Sequence, residues 1–159
     1  MKGHEKIIHA LNEALADELT AINQYMVHSE MCSNWGYEKL HKVIERRAIQ
    51  EMKHAEKLIG RLLFLEGTPR VSQLNPIHIG DSVETQLKND WEAEKGAMKM
   101  YNDHIRLCRE LNDDGTRELL SSILSDEEEH LDWLEAQLDQ IKQLGIQNYL
   151  LAQVQVQEK

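Results

Sequence analysis

The sequence carries a glutamate three residues before a histidine in two separate stretches. QEMKHAEKL contains Glu51 and His54, and SDEEEHLDWL contains Glu127 and His130. On an α-helix, residues three apart lie on adjacent turns of one face, so both side chains of a pair can reach one ion. Carboxylate oxygens and imidazole nitrogens are common ligands of divalent transition-metal ions. Each stretch could therefore supply part of a metal site.

The two Glu–His pairs belong to a longer internal repeat. Glu18 precedes the glutamate of the first pair by 33 residues, and Glu94 precedes the glutamate of the second pair by the same distance. Adding 76 to a residue number therefore converts one Glu, Glu, His triplet into the other. The same offset relates three further pairs of residues, namely Tyr25 and Tyr101, His28 and His104, and Cys32 and Cys108. We interpret the chain as two related helical hairpins that each provide half of a two-metal site.

Long amphipathic helices are predicted to position these residues. Apolar residues recur with a period of 3.6 through most of the chain, and the turn stretches NWG and NDDG interrupt the pattern. Asp81 or Ser82 is expected to cap the third helix, with Glu84 as a capping-box partner of Asp81. Gly145 is a suitable residue to end the fourth helix. The predicted helices cover residues 5–35, 38–66, 82–111, 114–144 and 146–154.

One long segment without helical periodicity connects the second and third helices. GTPRVSQLNPIHIGDS contains both prolines of the chain, Pro69 and Pro76. About 15 extended residues can span about 50 Å, whereas a helix of about 28 residues is only about 42 Å long. The segment can therefore return the chain along the full length of a helical bundle. We predict an all-α, ferritin-like four-helix bundle with a long crossover and a short fifth helix.

Six side chains that could bind metal interrupt the apolar stripes of the four long helices. We call them the six-residue set: Glu18, Glu51, His54, Glu94, Glu127 and His130. The four carboxylates lie near the middle of their helices, so they are expected to meet at one level of the bundle. Burying even one unpaired carboxylate costs several kcal/mol. Two divalent cations would balance the charge, whereas a buried ion-pair network has few cationic partners in these stripes, Arg47 being the exception.

A third Glu–His pair has the same spacing but a different environment. Glu38 and His41 project on the outer side of the second helix, and no carboxylate precedes them at the matching distance. We therefore interpret this pair as surface residues. The spacing becomes informative only when an upstream glutamate on another helix completes the triplet.

Composition restricts the possible partners and location of the protein. The chain has 159 residues and a formal net charge of −10, which is typical of one soluble domain, expected here over residues 1–159. The charge argues against DNA, RNA or an anionic membrane as a partner, because those surfaces attract Lys and Arg. The N-terminal stretch lacks the apolar region of a signal peptide, and no apolar run approaches membrane length. These features predict a cytoplasmic protein.

The two cysteines are predicted to be buried free thiols. Cys32 and Cys108 lie far apart in the sequence and lack a C-x-x-C partner. Both fall at positions typical of a helical core, where cysteine behaves as a small apolar residue. A disulfide or a zinc site is the less favoured alternative.

The chain resembles the bacterioferritins over essentially its whole length. The stretches that carry the resemblance are ELTAINQY, NWG, EMKHAEKLI, LFLEGTPR, DEEEHLDWLE and LGIQNYL. The resemblance implies an iron-storage protein of iron homeostasis, with ferroxidase activity toward Fe(II) and O2 or H2O2 as oxidant. It implies a homo-oligomeric cage of twenty-four subunits, built from dimers, that holds a ferric mineral. It also implies a pore-lining role for the short fifth helix, IQNYLLAQV, and a ferredoxin-like reductant for iron release.

The resemblance also assigns roles to the six-residue set as ligands of a di-iron ferroxidase centre. Glu51 and Glu127 would bridge the two irons. Glu18 and His54 would complete the coordination of one iron, and Glu94 and His130 that of the other. Tyr25 lies on the stripe of Glu18, where its hydroxyl could bond a bridging carboxylate or take part in electron transfer. A plain core aromatic with a satisfied hydroxyl is an equally good interpretation of Tyr25.

Met52 lies on a second apolar stripe of the second helix. It projects about 130° from the centre of the inner face, and the other members of this stripe are Ala48, Ile49, Ile59 and Leu63. A helix that is apolar on two sides usually contacts another subunit. On the residues alone, interface packing is the favoured interpretation. The resemblance implies that Met52 is the axial ligand of a haem b shared between two subunits across a two-fold axis.

Three residues just before Glu51 depart from the bacterioferritin pattern. Many bacterioferritins carry acidic or histidine residues at positions where this chain has Arg46, Arg47 and Gln50. Arg47 is expected to pair with Glu51, one helical turn away. Arg46 and Gln50 cannot replace anionic ligands. We therefore predict that the chain lacks an accessory iron site at the inner cage surface.

Two other functions remain open on the sequence. One is another di-iron carboxylate enzyme, either a peroxidase of the rubrerythrin kind or an oxygenase. The former usually has a C-x-x-C iron domain, which this chain lacks, and the latter needs a substrate cavity, which the Leu, Ile and Trp of the inner stripes are expected to fill. The other is a haem-bearing structural subunit in a mixed cage with a more active partner. Zinc or manganese could occupy the same ligands.

Overall fold

The computed structural model describes residues 1–154, which are helical and irregular without β-strands. The predicted fold class, a ferritin-like four-helix bundle with a short fifth helix, is confirmed. The long helices agree with the predicted segments to within two residues, but the fifth helix ends at Leu151 rather than residue 154. Residues 155–159, which the predicted domain includes, lie outside the described range. The helices are α1 (Glu5–Asn34), α2 (Glu38–Phe64), α3 (Val83–Glu110), α4 (Asp114–Leu144) and α5 (Ile146–Leu151).

Short turns join two helical hairpins. α1 packs along α2, and α3 packs along α4. Ser82 caps α3 because its side chain accepts a hydrogen bond from the backbone N–H of Thr85, so the predicted alternative of Asp81 with Glu84 is wrong. Asp113 caps α4 in the same way. Gly145, with φ of 79°, ends α4 and precedes α5, and this backbone region favours glycine.

The six-residue set lies between two apolar clusters. The first cluster includes Ile7 and Leu11 of α1 together with Leu58 and Leu62 of α2. The second cluster includes residues from the other half of each helix, such as Tyr25, Leu40, Ile44, Leu87 and Leu134. In each of the four long helices, the members of the set separate the residues of one cluster from those of the other. A polar layer is therefore enclosed by apolar packing at both ends of the bundle.

Polar side chains of α1 hold the crossover segment, residues 65–82, against the bundle. Asn12 accepts from the backbone N–H of Arg70 at 2.8 Å and donates to the carbonyl of Thr68 at 3.1 Å. Further along α1, Thr20, Gln24 and His28 accept from backbone N–H groups of residues 75, 78 and 80. These bonds satisfy backbone groups that have no regular secondary structure to pair with. The crossover therefore follows one side of α1 across the level of Glu18.

The cysteine prediction is confirmed. Cys32 and Cys108 are buried free thiols, and burial raises the pKa of Cys32 to about 12 and that of Cys108 to about 11. Such thiols are poorly reactive because the thiolate is the reactive form. Within residues 1–154, the helices are too short or too polar to cross a membrane.

Candidate metal centre

The fold brings the whole six-residue set together. The side chains form two groups of four, and the candidate ligand atoms within each group lie within 4.8 Å of one another. We call these groups half-site 1 (Glu18, Glu51, His54 and Glu127) and half-site 2 (Glu51, Glu94, Glu127 and His130). Both half-sites include Glu51 and Glu127. Every member of the set is at most 3% exposed.

The two histidines occupy opposite halves of the cluster. In half-site 1, Nδ1 of His54 lies 3.1 Å from Oε1 of Glu127 and 3.5 Å from Oε2 of Glu51. The same nitrogen lies 3.6 Å from Oε2 of Glu18. In half-site 2, Nδ1 of His130 lies 2.7 Å from Oε1 of Glu94. Each imidazole therefore has a nitrogen beside at least one carboxylate from another helix.

Two tyrosines bond the outer carboxylates of the cluster. Tyr25 of α1 donates its hydroxyl to Oε1 of Glu94 in α3, rather than to Glu51 or Glu127. Tyr101 of α3 donates to Oε1 of Glu18 in α1 at 2.5 Å. Burial and the surrounding carboxylates raise the pKa of both phenols well above the usual value, so both hydroxyls remain protonated donors. The role of Tyr101 was not predicted, although its 76-residue offset from Tyr25 was the available signal.

Five buried atoms of the cluster have no hydrogen-bond partner. They include one oxygen from each carboxylate of the set and one histidine nitrogen: Oε2 of Glu18, Oε1 of Glu51, Oε2 of Glu94, Oε1 of Glu127 and Nδ1 of His54. A buried unsatisfied polar atom costs about 1–3 kcal/mol, and more when charged. A group of carboxylate oxygens can only accept, so a cation satisfies several of them at once. The donor set, four carboxylates and two imidazoles, fits iron, manganese or zinc.

Burial and mutual repulsion favour protonation of the cluster. Burial raises the pKa of Glu18, and burial with the charge of neighbouring carboxylates raises the pKa of Glu51 and Glu127 well above the usual value. Burial also disfavours ionised Glu94, but its contacts with Glu127, His130 and Tyr25 bring its pKa down to about 2. A metal ion that binds here must displace protons from the shared glutamates.

His54 differs from an ordinary buried histidine. Burial alone would lower its pKa, but the contacts with Glu127, Glu18 and Glu51 outweigh burial and raise the pKa well above 6.5. Its imidazole is therefore cationic at neutral pH while carboxylates, rather than a metal ion, surround it. Binding of a metal ion through Nδ1 replaces that proton, because a ligating histidine must offer a lone pair.

After removal of metal with a chelator, the protein is expected to lose stability as the pH rises from 5 to 8. The folded-state pKa values of five groups are raised, namely those of Asp17, Glu18, Glu51, Glu127 and His54. The stability from their protons is complete below the unfolded values of 3.8, 4.5 and 6.5 and decreases above them. Glu94 and His104 have shifts that act in the opposite direction, but Glu94 acts only below pH 4.5 and His104 is one group against five. Thermal midpoints at fixed protein concentration test this dependence.

The control for the pH experiment is the Glu51→Gln, Glu127→Gln double variant, in which two of the five groups no longer titrate. Its midpoint is expected to change less between pH 5 and pH 8 than that of the original protein. With saturating Zn²⁺, the thermal midpoint of the original protein is expected to rise between pH 5 and pH 8 instead of falling. The reason is that deprotonated ligands bind the ion more tightly at higher pH. A chelator-treated protein whose stability rises over this pH range would contradict the assigned shifts.

A cavity of about 280 Å³ connects the crossover segment with the cluster. Asp17 lines the cavity, and burial raises its pKa to about 7, with a further contribution from the charge of Glu94 that the bond from Asn75 partly offsets. The cavity is also lined by Asn75, Pro76 and His78 of the crossover and by Glu51, Glu94 and Glu127 of the set. The cavity is a short route from the protein surface to the carboxylates.

Arg47 does not form the predicted ion pair with Glu51. Its Nη1 donates to the side-chain oxygen of Gln50 at 2.5 Å and to the backbone carbonyl of Asp126 at 3.2 Å. Arg46 is exposed. The guanidinium of Arg47 therefore links α2 to α4 beside the cluster and leaves the charge of Glu51 unpaired by arginine.

Met52 and the outward Glu–His pair lie outside the cluster. On the second apolar stripe, Met52 is 42% exposed, Ile49 48% and Leu63 60%, whereas Ala48 and Ile59 pack against the apolar clusters of the bundle. His41 bonds the backbone carbonyl of Ser29 through Nδ1 at 2.9 Å, and neither His41 nor Glu38 contacts the six-residue set. The Glu–His spacing alone therefore does not mark the cluster.

The comparisons with known proteins agree on the family of this chain. The model of the ferritin-like domain matches residues 8–144. Similar proteins include the bacterioferritin of Brucella melitensis, which is 40% identical over 94% of this chain and 92% of its own length. The bacterioferritin of Rhodobacter capsulatus is 41% identical over 95% of this chain and 94% of its own. The bacterial ferritin of Synechocystis sp. is 41% identical over 97% of this chain and 99% of its own.

Proposed function

Because the chain belongs to the bacterioferritins, within the ferritin-like family, we propose that it stores iron and oxidises Fe(II) at the six-residue set. The observation that carries this proposal is the buried cluster itself, in which two half-sites share Glu51 and Glu127. Five of its buried atoms lack hydrogen-bond partners, and two cations would satisfy them.

In this proposal, two Fe(II) ions are the substrates. Glu51 and Glu127 contact both ions, Glu18 and His54 complete half-site 1, and Glu94 and His130 complete half-site 2. Each Fe(II) gives up one electron, so the pair reduces O2 with two protons to H2O2, or H2O2 with two protons to two molecules of water. Placing both irons in one cluster suits this two-electron reaction. Protons released from the shared glutamates and from His54 on iron binding leave the ligands in their binding form.

The surroundings of the cluster support a role in iron uptake. The cavity beside Asp17 gives small ions and oxidants a route to the carboxylates, and its acidic lining attracts cations. Tyr25 and Tyr101 hold Glu94 and Glu18 in place through their hydroxyls. We infer that oxidised iron passes into a cage formed by twenty-four copies of the chain. Two exposed apolar residues, Leu151 at the end of α5 and Val154 just after it, suit contacts with other subunits.

We also propose that Met52 binds haem b together with the Met52 of a second copy. Its thioether is exposed on an apolar stripe with Ile49 and Leu63, which fits a flat apolar group held between two subunits. When bound, haem would supply a one-electron redox group, and the thioether sulfur of Met52 would hold it. A ferredoxin-like protein is the proposed source of electrons for release of stored iron.

A haem-bearing structural subunit is the second candidate function. This candidate is favoured by Arg46, Arg47 and Gln50, which stand where many bacterioferritins carry acidic or histidine residues. Arg47 and Gln50 bond each other beside the cluster, so neither provides an anionic ligand there. The buried cluster is nevertheless complete and reached by a cavity. Iron oxidation measurements separate the two candidates.

The test is stepwise anaerobic addition of Fe(II) to chelator-treated protein, followed by O2 in one series and H2O2 in another. A fast rise in ferric absorbance that saturates at about two irons per chain is expected, followed by slower mineral growth. Prior addition of two Zn²⁺ per chain is expected to remove the fast phase, because zinc competes for the same ligands and has no redox chemistry. Slow oxidation that Zn²⁺ does not change would favour the structural subunit.

A further inference from the structure

Asp126 makes a hydrogen bond to the outer nitrogen of His54. Oδ2 of Asp126 in α4 lies 2.8 Å from Nε2 of His54 in α2. Because an ionised carboxylate only accepts hydrogen bonds, Nε2 carries a proton and donates it. The other ring nitrogen, Nδ1, then faces the carboxylates of half-site 1, at 3.1–3.6 Å. Asp126 thus determines which nitrogen of His54 is available to a cation.

A hydrogen bond from the outer ring nitrogen to a carboxylate makes a histidine a stronger metal ligand. A carboxylate on the outer N–H of a ligating imidazole fixes its tautomer and ring orientation and makes the other nitrogen more basic. The geometry around His54 satisfies this requirement, because Nδ1 is buried without a hydrogen-bond partner of its own. Asp126 itself is about one-third exposed and is not in either half-site. It therefore acts on the cluster through His54.

The internal repeat shows that half-site 2 lacks the same support. Asp126 directly precedes Glu127, and the residue that directly precedes Glu51 is Gln50, 76 positions earlier. The side-chain oxygen of Gln50 accepts a hydrogen bond from Arg47. Within residues 1–154, the ion-pair contact of His130 is with Glu94 and involves Nδ1. His130 packs against the rings of Tyr25 and Trp133, and no carboxylate of residues 1–154 takes the place that Asp126 has beside His54.

Arg47 strengthens this difference between the half-sites. It donates to the backbone carbonyl of Asp126 at 3.2 Å as well as to Gln50. The first bond holds the backbone of α4 at Asp126 close to α2, where His54 lies. The second bond occupies the amide oxygen of Gln50, the acceptor at the position equivalent to Asp126.

From these contacts we propose that Asp126 is a positioning residue for His54, and that half-site 1 therefore binds a divalent cation before half-site 2 does. This inference rests on the proposed function, because it requires that the six-residue set binds cations. It adds an order of loading that the two-fold arrangement of ligands does not predict. The asymmetry comes from Asp126 in one repeat and Gln50 in the other.

The experiment is stepwise addition of Co²⁺ to chelator-treated protein without oxidant, followed by visible absorbance of the bound ion. The original protein is expected to bind two Co²⁺ per chain in two resolved steps. The Asp126→Ala variant is expected to weaken the first step by roughly 10- to 100-fold and to leave the second step unchanged. The Asp126→Asn variant is expected to be intermediate, since an amide oxygen still accepts the bond without the charge.

The matched control is Gln50→Ala, the same truncation at the equivalent position of the repeat. It is expected to leave both steps within about two-fold of the original protein, because Gln50 does not bond a histidine of the set. Circular dichroism of each variant verifies that the fold is retained. Equal weakening of both steps in Asp126→Ala, or two equal steps in the original protein, would overturn the inference. Failure of the original protein to bind Co²⁺ would overturn the proposed function instead.

Discussion

Replacement of Glu127 by glutamine is expected to slow the fast phase of Fe(II) oxidation by roughly 100-fold. Glu127 belongs to both half-sites, so the change removes a charged ligand from both proposed iron positions. Its Oε1 also lies 3.1 Å from Nδ1 of His54, the nitrogen proposed to bind iron. Glutamine keeps the size and shape of the side chain, so the fold is expected to remain intact. Stopped-flow absorbance after mixing Fe(II)-loaded protein with O2 or H2O2 measures the rate.

The chain contains a matched control for this variant. Glu38 stands three residues before His41, as Glu127 stands three residues before His130, but Glu38 accepts a bond from Ser33 away from the cluster. The Glu38→Gln variant is therefore expected to oxidise iron within about two-fold of the original rate. A Glu127→Gln protein that keeps the original fast phase would show that oxidation occurs elsewhere and would contradict the proposed ferroxidase centre.

Replacement of Met52 by leucine is expected to abolish haem binding. Leucine preserves the apolar stripe and the approximate volume of the side chain but has no sulfur to coordinate iron. Because two copies of Met52 are proposed to bind one haem, the variant removes both axial ligands at once. Haem absorbance per chain after reconstitution with haemin, followed by gel filtration, measures the loss.

Met26→Leu is the control for the haem prediction. Met26 is 49% exposed and lies on α1, so it tests whether loss of any exposed thioether lowers haem content. This variant is expected to bind haem normally, and both variants are expected to keep the fast phase of iron oxidation, since neither residue lies in the cluster. Stoichiometric haem in the Met52→Leu protein would contradict the assignment of Met52 as axial ligand.

The burial of the cluster connects the proposed iron binding with the stability of the bundle. Apolar packing encloses the polar layer on both sides, so the carboxylates cannot be solvated by water as they would be at a surface. Protons or cations must therefore compensate their charge. In the proposed function, this requirement is the source of the affinity of the cluster for divalent ions, and it is expected to make the chelator-treated protein sensitive to pH.

The sequence by itself determined the helices and the membership of the six-residue set. Helix bounds follow from local features, namely the period of the apolar residues, the turn stretches and Gly145, and these act within a few residues of one another. Glu18 and Glu94 could be grouped with the two Glu–His pairs because the 33-residue spacing repeats. Each member also falls on the inner face of its own helix, which periodicity alone reveals.

Only the tertiary structure decided which atoms of neighbouring helices meet. The bond from Tyr25 to Glu94 joins α1 to α3, the bond from His54 to Asp126 joins α2 to α4, and Arg47 reaches Gln50 and Asp126 rather than Glu51. These contacts depend on the rotation of each helix about its axis and on its shift along the bundle. Side-chain packing between helices sets both quantities, whereas the periodic pattern of one helix identifies its buried face without specifying the residues opposite.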